Sequence, residues 1–299
     1  MRLRRSELST PASNEHMMEK AAKSNADLVF LDLEDSVSPL EKVSARAKAI
    51  TALKTLDWGK KTRGVRINDL ESEYAYQDII SIVEEAGEYL DILIIPKVKT
   101  ARDVWWVDLL LTQIEKRLKR EQRIKLEVLI EEVEALIVVE EIACASSRLE
   151  ALIFGPADYS ASQGMDSKVI EGTLASYPGD PWHYARNKIV IAARAAGIDA
   201  IDGAYPDFRN SEGYRRECTY SHVLGFAGKW AIHPGQIDIA NALYAPTQEE
   251  VDYARKLDAA YTDALARGIG AVAIDGKMID VAIIRSVRNI IQKADLIGM

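Results

Sequence analysis

The sequence has few of the features that mark several large classes of protein. Only two cysteines, Cys144 and Cys218, occur among 299 residues, which is too few for a disulfide scaffold and lacks the spacing of a metal site. No apolar run reaches the roughly 18 residues that a membrane span needs. The N-terminus is charged but has no apolar stretch of the kind found in secretory signals. We therefore expect a folded, cytoplasmic protein with no membrane partner.

An excess of positive charge is also missing. The chain has 38 Lys and Arg against 46 Asp and Glu, a formal net charge of −8. Nucleic-acid binding requires clustered cations that contact phosphates, so this balance argues against nucleic acid as a partner. Glycine-rich nucleotide-binding loops, a Ser-His-Asp order and zinc motifs are absent from the sequence as well.

What the sequence does contain is a regular alternation of short apolar runs and longer amphipathic stretches. The apolar runs are too hydrophobic for burial on one face only, which indicates a parallel sheet covered by helices. Eight such pairs fit a (β/α)8 TIM barrel better than a doubly wound sheet. The predicted strands are 3–8, 28–33, 64–68, 92–96, 126–130, 149–154, 198–202 and 228–232.

Two segments depart from this alternation. Residues 163–179 contain Gly, Ser and Pro and are predicted to be a functional loop rather than a helix. Residues 246–299 are predicted to form a C-terminal appendage of two helices, flexible at Gly268 and Gly270. We therefore divide the chain into a catalytic barrel, 1–245, and a helical extension, 246–299.

Ionisable residues end six of the eight apolar runs. Barrel enzymes carry their chemistry at the carboxyl ends of the strands, so these residues are candidates for a site. Glu131 and Asp158 follow neighbouring strands, and two carboxylates without Cys or His beside them favour Mg²⁺, or Mn²⁺, over softer metals. The alternative for either residue is that it caps the helix that follows.

Arg66 lies on the third strand, on the face opposite to its apolar neighbours, and an arginine inside a barrel needs an anion. That anion is either Glu34 or Asp35, which follow the second strand, or a substrate carboxylate held by two hydrogen bonds. We assign all three residues to the substrate site. The Gly-Pro-Ala segment that ends at Ala157 lets backbone N–H groups approach a ligand, which adds Ala157 to that site.

Several of these segments together resemble one enzyme family. They are Leu31-Asp-Leu-Glu-Asp-Ser-Val, Arg66-Ile-Asn, Ile95-Pro-Lys-Val, Ile130-Glu131, Gly155-x-x-Asp158 and Gly228-Lys-Trp-Ala-Ile-His-Pro. In this order, over essentially the whole chain, they are similar to the CitE-like acyl-CoA lyases of the HpcH/HpaI aldolase superfamily. The segments most similar to malyl-CoA and β-methylmalyl-CoA lyases are Asp180-Pro-Trp-His-Tyr, Ile201-Asp-Gly-x-Tyr-x-Asp-Phe and Leu56-Asp-Trp-Gly-Lys.

The resemblance implies roles for individual positions. The metal ligands of the family match Glu131 and Asp158, and its carboxylate-binding arginine matches Arg66. A catalytic aspartate is implied at Asp280, contributed by the C-terminal extension to the site of a neighbouring subunit. That arrangement requires a homo-oligomer, which we expect to be a trimer or a hexamer. The resemblance also implies coenzyme A contacts at Ser9, Asn14 and Lys20 and further substrate contacts at Ile232 and His233.

The implied activity is that of an oxo-acid-lyase of the aldolase or Claisen type, dependent on Mg²⁺. We expect reversible cleavage of malyl-CoA or β-methylmalyl-CoA to glyoxylate plus acetyl-CoA or propionyl-CoA, so that coenzyme A is part of the substrate. The alternatives are a citramalyl-CoA lyase that forms pyruvate, a citrate lyase β subunit and a CoA-independent 2-oxo acid aldolase. A metal-binding regulatory protein without turnover is the non-enzymatic alternative.

Overall fold

The predicted barrel is present. The computed structural model describes residues 2–170 and 179–299, and in it eight strands close into a barrel in the order of the sequence. Each strand pairs in parallel with the next along the chain, and the last pairs with the first. The strands are β1 (Ser6–Pro11), β2 (Leu28–Asp32), β3 (Thr62–Arg66), β4 (Ile92–Ile95), β5 (Lys125–Ile130), β6 (Leu149–Phe154), β7 (Asp199–Asp202) and β8 (Gly228–Ala231). The (β/α)8 prediction is confirmed.

Helices connect the strands, and the longer ones bury one apolar stripe. In the third helix, for example, Ile79, Ile82 and Val83 are buried at the three- and four-residue spacing of a helix face. The helices up to the end of the barrel are α1 (Glu15–Ala22), α2 (Lys42–Thr55), α3 (Ala75–Ala86), α4 (Ala101–Leu118), α5 (Val133–Ile137), α6 (Val139–Ala143), α7 (Pro156–Gln163), α8 (Ser167–Ile170), α9 (His183–Ala196), α10 (Ser211–Leu224) and α11 (Pro234–Leu243). In the described part of the chain, no helix is both long and apolar enough to cross a membrane.

The interior of the barrel is filled by side chains from alternate strand positions. Phe30 and Trp230 pack there with ring centroids 4.5 Å apart. The cluster consists of Leu28, Phe30, Ile92, Ile94, Leu129, Ala151, Ile153, Ile201 and Trp230. Because this interior is packed, the site has to lie among residues at the strand ends.

Several elements differ from the predictions by more than one residue, and β3, for example, covers Thr62–Arg66 instead of 64–68. The first strand runs from Ser6 to Pro11 instead of 3–8, because its last residues, Ser9, Thr10 and Pro11, pair with β2 although they form no apolar run. Hydrophobicity alone therefore misplaces it. The single helix expected over 133–145 is broken at Val138, whose ψ of 24° separates α5 from α6.

The segment predicted to be a loop is partly helical. The helix α7 begins directly after β6 and ends at Gln163, and α8 adds one helical turn within 163–179. The expectation of an irregular segment is therefore wrong for that turn. Residues 171–178, which make up much of the predicted loop, lie outside the described residues.

The chain divides into two compact units. Arg4–Asn241 forms the barrel unit, and Ala242–Met299 forms the second together with the first residues of the chain. The helical C-terminal region is confirmed: it contains α12 (Gln248–Ala266), β9 (Val272–Ile274), β10 (Lys277–Ile279) and α13 (Val281–Ile297). The two short strands pair as an antiparallel hairpin. The boundary after residue 245 and the contribution of this region to a neighbouring subunit stay predictions.

Candidate functional site

The predicted residues of the barrel meet at the carboxyl ends of its strands. Arg66 is the last residue of β3, and Glu131 directly follows β5. Glu34 and Asp35 come two and three residues after β2, and Asp158 lies in the first turn of α7, just after β6. Glu34 lies 2.9 Å from Arg66, and the charges of Asp158, Arg66 and Glu34 all act on Glu131. These five residues form one charged group.

Arg66 is held by a carboxylate that the sequence analysis did not select. Its Nε and Nη2 atoms donate to the two oxygens of Asp32, each at 2.7 Å. Its Nη1 atom lies 2.9 Å from Glu34 Oε2. That contact is an ion pair without an aligned hydrogen bond, and the buried Oε2 atom accepts none from the described residues. Asp32 therefore takes the Nε N–H and one of the two Nη2 N–H groups, which leaves the second Nη2 N–H and the Nη1 group, beside Glu34, for further acceptors.

Asp32 is completely buried on β2. Burial opposes its ionisation, but the Arg66 guanidinium and hydrogen bonds from Ser36 and from the Glu34 N–H hold the pKa of Asp32 below its usual value. It was missed because it lies inside an apolar run rather than after it. The register of β2 and β3, in which Asp32 is the partner of Arg66, is the signal that identifies the pair.

Lys97 is a second residue that the sequence analysis left without a role. Its backbone N–H donates to Glu131 Oε1 at 2.8 Å. Its Nζ atom donates to Glu34 Oε1 at 2.6 Å and to Asp35 Oδ1 at 3.3 Å. Its position directly after β4 and Pro96 was the available signal. Lys97 thus contacts both acidic parts of the site.

Glu131 is a buried acid close to a second acid. Its exposed fraction is 1%. Burial, followed by the charge of Asp158, raises the pKa of Glu131 to about 8, although Arg66 and the Lys97 N–H act in the opposite direction. In the described part of the chain, neither Glu131 nor Asp158 forms an ion pair with a Lys or Arg side chain. A cation that binds between them would compensate both charges.

The donor set fits a hard divalent cation. The two carboxylates offer only oxygen, which Mg²⁺ and Mn²⁺ prefer. Residues 2–170 and 179–299 contain no group of three or more His, Cys, Asp or Glu side chains placed to hold a metal. The remaining positions would therefore be filled by water or substrate oxygens, as is usual for Mg²⁺.

The start of α7 brings backbone donors to this part of the site. Gly155 precedes the helix, and no side chain caps its first turn, so the N–H groups at Ala157 and Asp158 are not paired within the helix. Such N–H groups bind anions. Asp158 lies inside the first turn and is not the N-cap. A cavity of about 780 Å³ adjoins Ala157 and is lined by residues that include Trp182 and Tyr205.

Ile232 and His233 lie on the rim after β8, and both are exposed. The Ile232 N–H donates to Gln236 Oε1 at 2.8 Å. The His233 ring stacks on Phe208 with centroids 5.0 Å apart, and its Nδ1 atom accepts from the Gly235 N–H at 3.1 Å. These contacts fix the orientation of the rim segment, whereas its contact with substrate remains a prediction.

The residues predicted to bind coenzyme A lie on the first strand and helix. Ser9 is half-buried on β1, and Lys20 is exposed in the last turn of α1. Asn14 is the N-cap of α1, where its side chain accepts from the Met17 N–H at 3.1 Å. Its oxygen is therefore already engaged, which leaves its amide group to contact a ligand.

Asp280 lies in the second unit, where it caps α13. Its Oδ1 atom accepts from the N–H groups of Ala282 and Ile283 at 3.0 and 3.2 Å. The cap alone accounts for an aspartate at this position. Its catalytic role remains the prediction that the family resemblance implies.

Comparison with known proteins shows similarity along nearly the whole chain. The family model of HpcH/HpaI aldolase/citrate lyase matches residues 5–234. An L-malyl-CoA/beta-methylmalyl-CoA lyase from Cereibacter sphaeroides is 44% identical over 303 residues, which cover 98% of this chain and 95% of that protein. The citrate lyase subunit beta from Leuconostoc mesenteroides subsp. cremoris is 36% identical and covers 98% of this chain and 94% of that protein.

The solved structures include CitE from Mycobacterium tuberculosis in complex with magnesium, acetoacetate and coenzyme A. It is 26% identical to this chain, with a TM-score of 0.76, and the match covers 97% of both chains. The similarity therefore includes the C-terminal region as well as the barrel.

Proposed function

Because this chain belongs to the HpcH/HpaI aldolase/citrate lyase family, we propose that it is a Mg²⁺-dependent carbon–carbon lyase acting on malyl-CoA or β-methylmalyl-CoA. It forms glyoxylate and acetyl-CoA or propionyl-CoA, reversibly, in the cytoplasm, where coenzyme A esters are available. The observation that carries the proposal is the buried acid Glu131, which lies within electrostatic range of both Asp158 and Arg66. A pair of carboxylates beside a guanidinium suits a divalent cation and a 2-oxo acid together.

Glu131 and Asp158 would hold the Mg²⁺ ion. When bound, Mg²⁺ supplies Lewis-acid stabilisation of negative charge on substrate oxygens. Arg66 and the Ala157 N–H orient the carboxylate of the substrate and stabilise its charge. Ile232 and His233 border the same rim, and Glu34 and Asp35 lie beside Arg66.

In the cleavage direction, the hydroxyl group at the β-carbon loses its proton to solvent water and the bond between the α- and β-carbons breaks. The β-carbon becomes the carbonyl carbon of glyoxylate, and the electron pair remains on the α-carbon as an acyl-CoA enolate. Asp280 donates a proton to that carbon, and in the condensation direction it removes the proton as a general base. Asp280 acts in the site of a neighbouring subunit, which requires a homo-oligomer, a trimer or hexamer.

Coenzyme A is bound by the first strand and helix. Lys20 is exposed at the end of α1, where an ammonium group can pair with phosphate. Ser9 and Asn14 add hydrogen bonds from β1 and from the start of α1.

Two other activities remain as candidates within the family. The similarity to citrate lyase subunit beta supports a citrate lyase β subunit that works with an acyl-carrier partner. The higher identity to L-malyl-CoA/beta-methylmalyl-CoA lyase favours glyoxylate. A CoA-independent aldolase would use Arg66, Glu131 and Asp158 but would have no use for Asp280 or Lys20.

A substrate panel tests the proposal. The purified chain is assayed with malyl-CoA, β-methylmalyl-CoA, citramalyl-CoA and free hydroxy-oxo acids, first with Mg²⁺, then with a chelator and then with Mg²⁺ restored. We expect glyoxylate release from the first two esters, loss of activity with the chelator and recovery on restoration. Turnover of free acids only, or turnover that survives chelation, contradicts the proposal.

A further inference from the structure

The helix that carries Asp158 is bound to its neighbours by two serine side chains. No side chain caps the first turn of α7, so a local cap does not fix the position of that turn. Ser160 and Ser162, further along the same helix, instead form hydrogen bonds to two different neighbouring segments. These two bonds connect α7 to residues on both of its sides.

Ser160 connects α7 to Trp182. The side chain of Ser160 is completely buried. Its Oγ atom accepts from Trp182 Nε1 at 2.8 Å and donates to the Pro156 carbonyl oxygen at 2.6 Å. A hydroxyl has one proton to donate, so the bond to Pro156 uses that proton and leaves a lone pair for the indole. Because Pro156 lies in the same helical turn as Asp158, the indole is bonded to a hydroxyl that is itself fixed to that turn.

Trp182 is held in turn by a buried arginine. The Trp182 N–H donates to Asp180 Oδ1 at 3.0 Å, and Arg186 Nη1 donates to Asp180 Oδ2 at 2.6 Å. The Arg186 guanidinium carbon lies 5.3 Å from the centre of the Trp182 ring, within the range of a cation–π interaction. Arg186 also donates to Asp202, the last residue of β7. Trp182 is therefore fixed to the barrel when it contacts Ser160.

Ser162 connects α7 to the segment that carries Glu131. Its Oγ atom accepts from the Val133 N–H at 3.0 Å, and Val133 begins α5 two residues after Glu131. The N-cap residue of α5 forms no side-chain hydrogen bond with that turn, so Ser162 supplies the missing acceptor from another helix. Asp158 and Ser162 are four residues apart and share one face of α7. The face that carries Asp158 is thus bound to the segment that follows Glu131.

We propose that Ser160, Ser162 and Trp182 are positioning residues that set the separation between Asp158 and Glu131, and so the affinity of the Mg²⁺ site. The inference rests on the proposed function, because that function assigns Mg²⁺ to these two carboxylates. Mg²⁺ requires nearly ideal octahedral geometry, so a site with two protein ligands from different strand ends is sensitive to their spacing. The three residues act through α7 and need not touch the ion.

The first test is calorimetric titration of Mg²⁺ into Trp182→Phe. Phenylalanine keeps an aromatic ring and removes the N–H that reaches Ser160. We expect the Mg²⁺ dissociation constant to rise about tenfold, the lower end of the effect of groups that orient metal ligands.

Trp58→Phe is the matched control. Trp58 is buried and donates from Nε1 to the Ala52 carbonyl oxygen at 3.2 Å, but it precedes β3 and so lies at the opposite end of the barrel. Both variants lose one indole hydrogen bond, so both should lower the thermal unfolding midpoint. The Mg²⁺ dissociation constant of Trp58→Phe should stay within about threefold of the wild-type value. An equal loss of Mg²⁺ affinity in the two variants would overturn the proposal.

Ser162→Ala tests the other side of α7. It removes the acceptor for the Val133 N–H, and we expect the Mg²⁺ dissociation constant to rise about tenfold here as well. Ser162→Thr keeps the hydroxyl and should bind Mg²⁺ within about threefold of the wild-type affinity. Unchanged affinity in folded Ser162→Ala or Trp182→Phe, or a Ser162→Thr variant as weak as Ser162→Ala, would overturn the proposal.

Mg²⁺ titration needs no turnover and therefore separates this proposal from the proposed function. If the wild-type protein cleaves no coenzyme A ester but Trp182→Phe and Ser162→Ala bind Mg²⁺ more weakly than the wild type, the proposed function fails and the positioning role stands. If the esters are cleaved with Mg²⁺ and all variants bind the ion alike, the positioning role fails and the function stands.

Discussion

The site depends on single residues that bring charges close together inside the protein. Glu131 is buried against Gly155, where an added Cβ atom would lie 2.5 Å from Glu131 Oε2 and 2.6 Å from its Cβ. Glycine is therefore required at position 155 for a close approach and not for an unusual φ. The carboxylate that we assign to Mg²⁺ is held in place by the absence of a side chain on the neighbouring strand end.

Gly155→Ala is expected to weaken Mg²⁺ binding. The methyl group must displace Glu131, and changes that reorient a ligand typically cost about 10- to 100-fold in metal affinity. Calorimetric titration of Mg²⁺ measures the effect, with the thermal unfolding midpoint recorded to confirm that the variant is folded. Gly270→Ala is the matched control, because an added Cβ meets no atom within 4 Å there. Equal Mg²⁺ affinity in a folded Gly155→Ala variant would contradict the assignment of Glu131.

At the scale of elements, β1 is a strand whose interior position is acidic. Glu7 is completely buried, and it accepts a hydrogen bond from Trp230 Nε1 on β8. Glu127, on β5, is also completely buried and pairs with Arg4. Burial, followed by the charge of Glu127, raises the pKa of Glu7 well above its usual value, against the opposing effect of Arg4. The barrel therefore favours the neutral form of Glu7.

This shift predicts how stability depends on pH. Because the pKa of Glu7 is raised in the folded protein, its contribution to stability is fully present below the unfolded value of 4.5 and is lost as the pH rises toward the folded value. Glu7→Gln keeps an oxygen for Trp230 and cannot ionise. We expect its free energy of unfolding to fall less than that of the wild type between about pH 5 and pH 8, as measured by urea denaturation.

Glu127→Gln is the comparison variant, because it shows whether the pH dependence of stability comes from Glu7 or from its buried neighbour Glu127. It removes one of the carboxylates around Arg4, which keeps Glu150 at 2.9 Å and Asp199 at 3.3 Å. This variant should therefore be destabilised over the whole pH range, by less than the roughly 3–5 kcal/mol that breaking an isolated buried pair costs. A steeper loss of stability with pH in Glu7→Gln than in the wild type would show that Glu7 is ionised in the folded protein.

At the scale of the whole molecule, an acidic chain is proposed to bind anionic substrates. The net charge of −8 opposes the approach of a coenzyme A ester, so binding depends on local cations such as Lys20, Arg66 and the Mg²⁺ ion. The second unit places Asp280 at the start of α13, outside the barrel unit that contains the other predicted catalytic groups. The proposed reaction requires both units, whichever subunits supply them.

Asp280→Asn is expected to keep Mg²⁺ and glyoxylate binding and to lose about 10²- to 10⁴-fold in lyase rate, the usual contribution of a general acid or base. If Asp280 acts in a neighbouring subunit, mixing Asp280→Asn with inactive Arg66→Ala under conditions of subunit exchange should restore activity. Each mixed oligomer then contains a site with both native residues. Undiminished turnover in Asp280→Asn, or full activity of an isolated monomer, would reject the assigned role.

The sequence by itself determined the number and order of the barrel strands, because the apolar runs and the helical periodicity are local properties of the chain. It also determined that Arg66, Glu131 and Asp158 lie at one end of the barrel, since parallel strands all end on the same side. The strand β1 was misplaced because its last residues, Ser9, Thr10 and Pro11, form no apolar run and are identified only by their pairing with β2.

The tertiary structure alone decided which charges pair. Arg66 binds Asp32, Lys97 joins Glu34 to Glu131, and Gly155 packs on Glu131. These partners come from different strands, and their contacts follow from strand register and from closure of the barrel. Neither register nor closure is encoded in the hydrophobic pattern of a single segment, because pairing energy depends on residues that the fold brings together from distant parts of the chain.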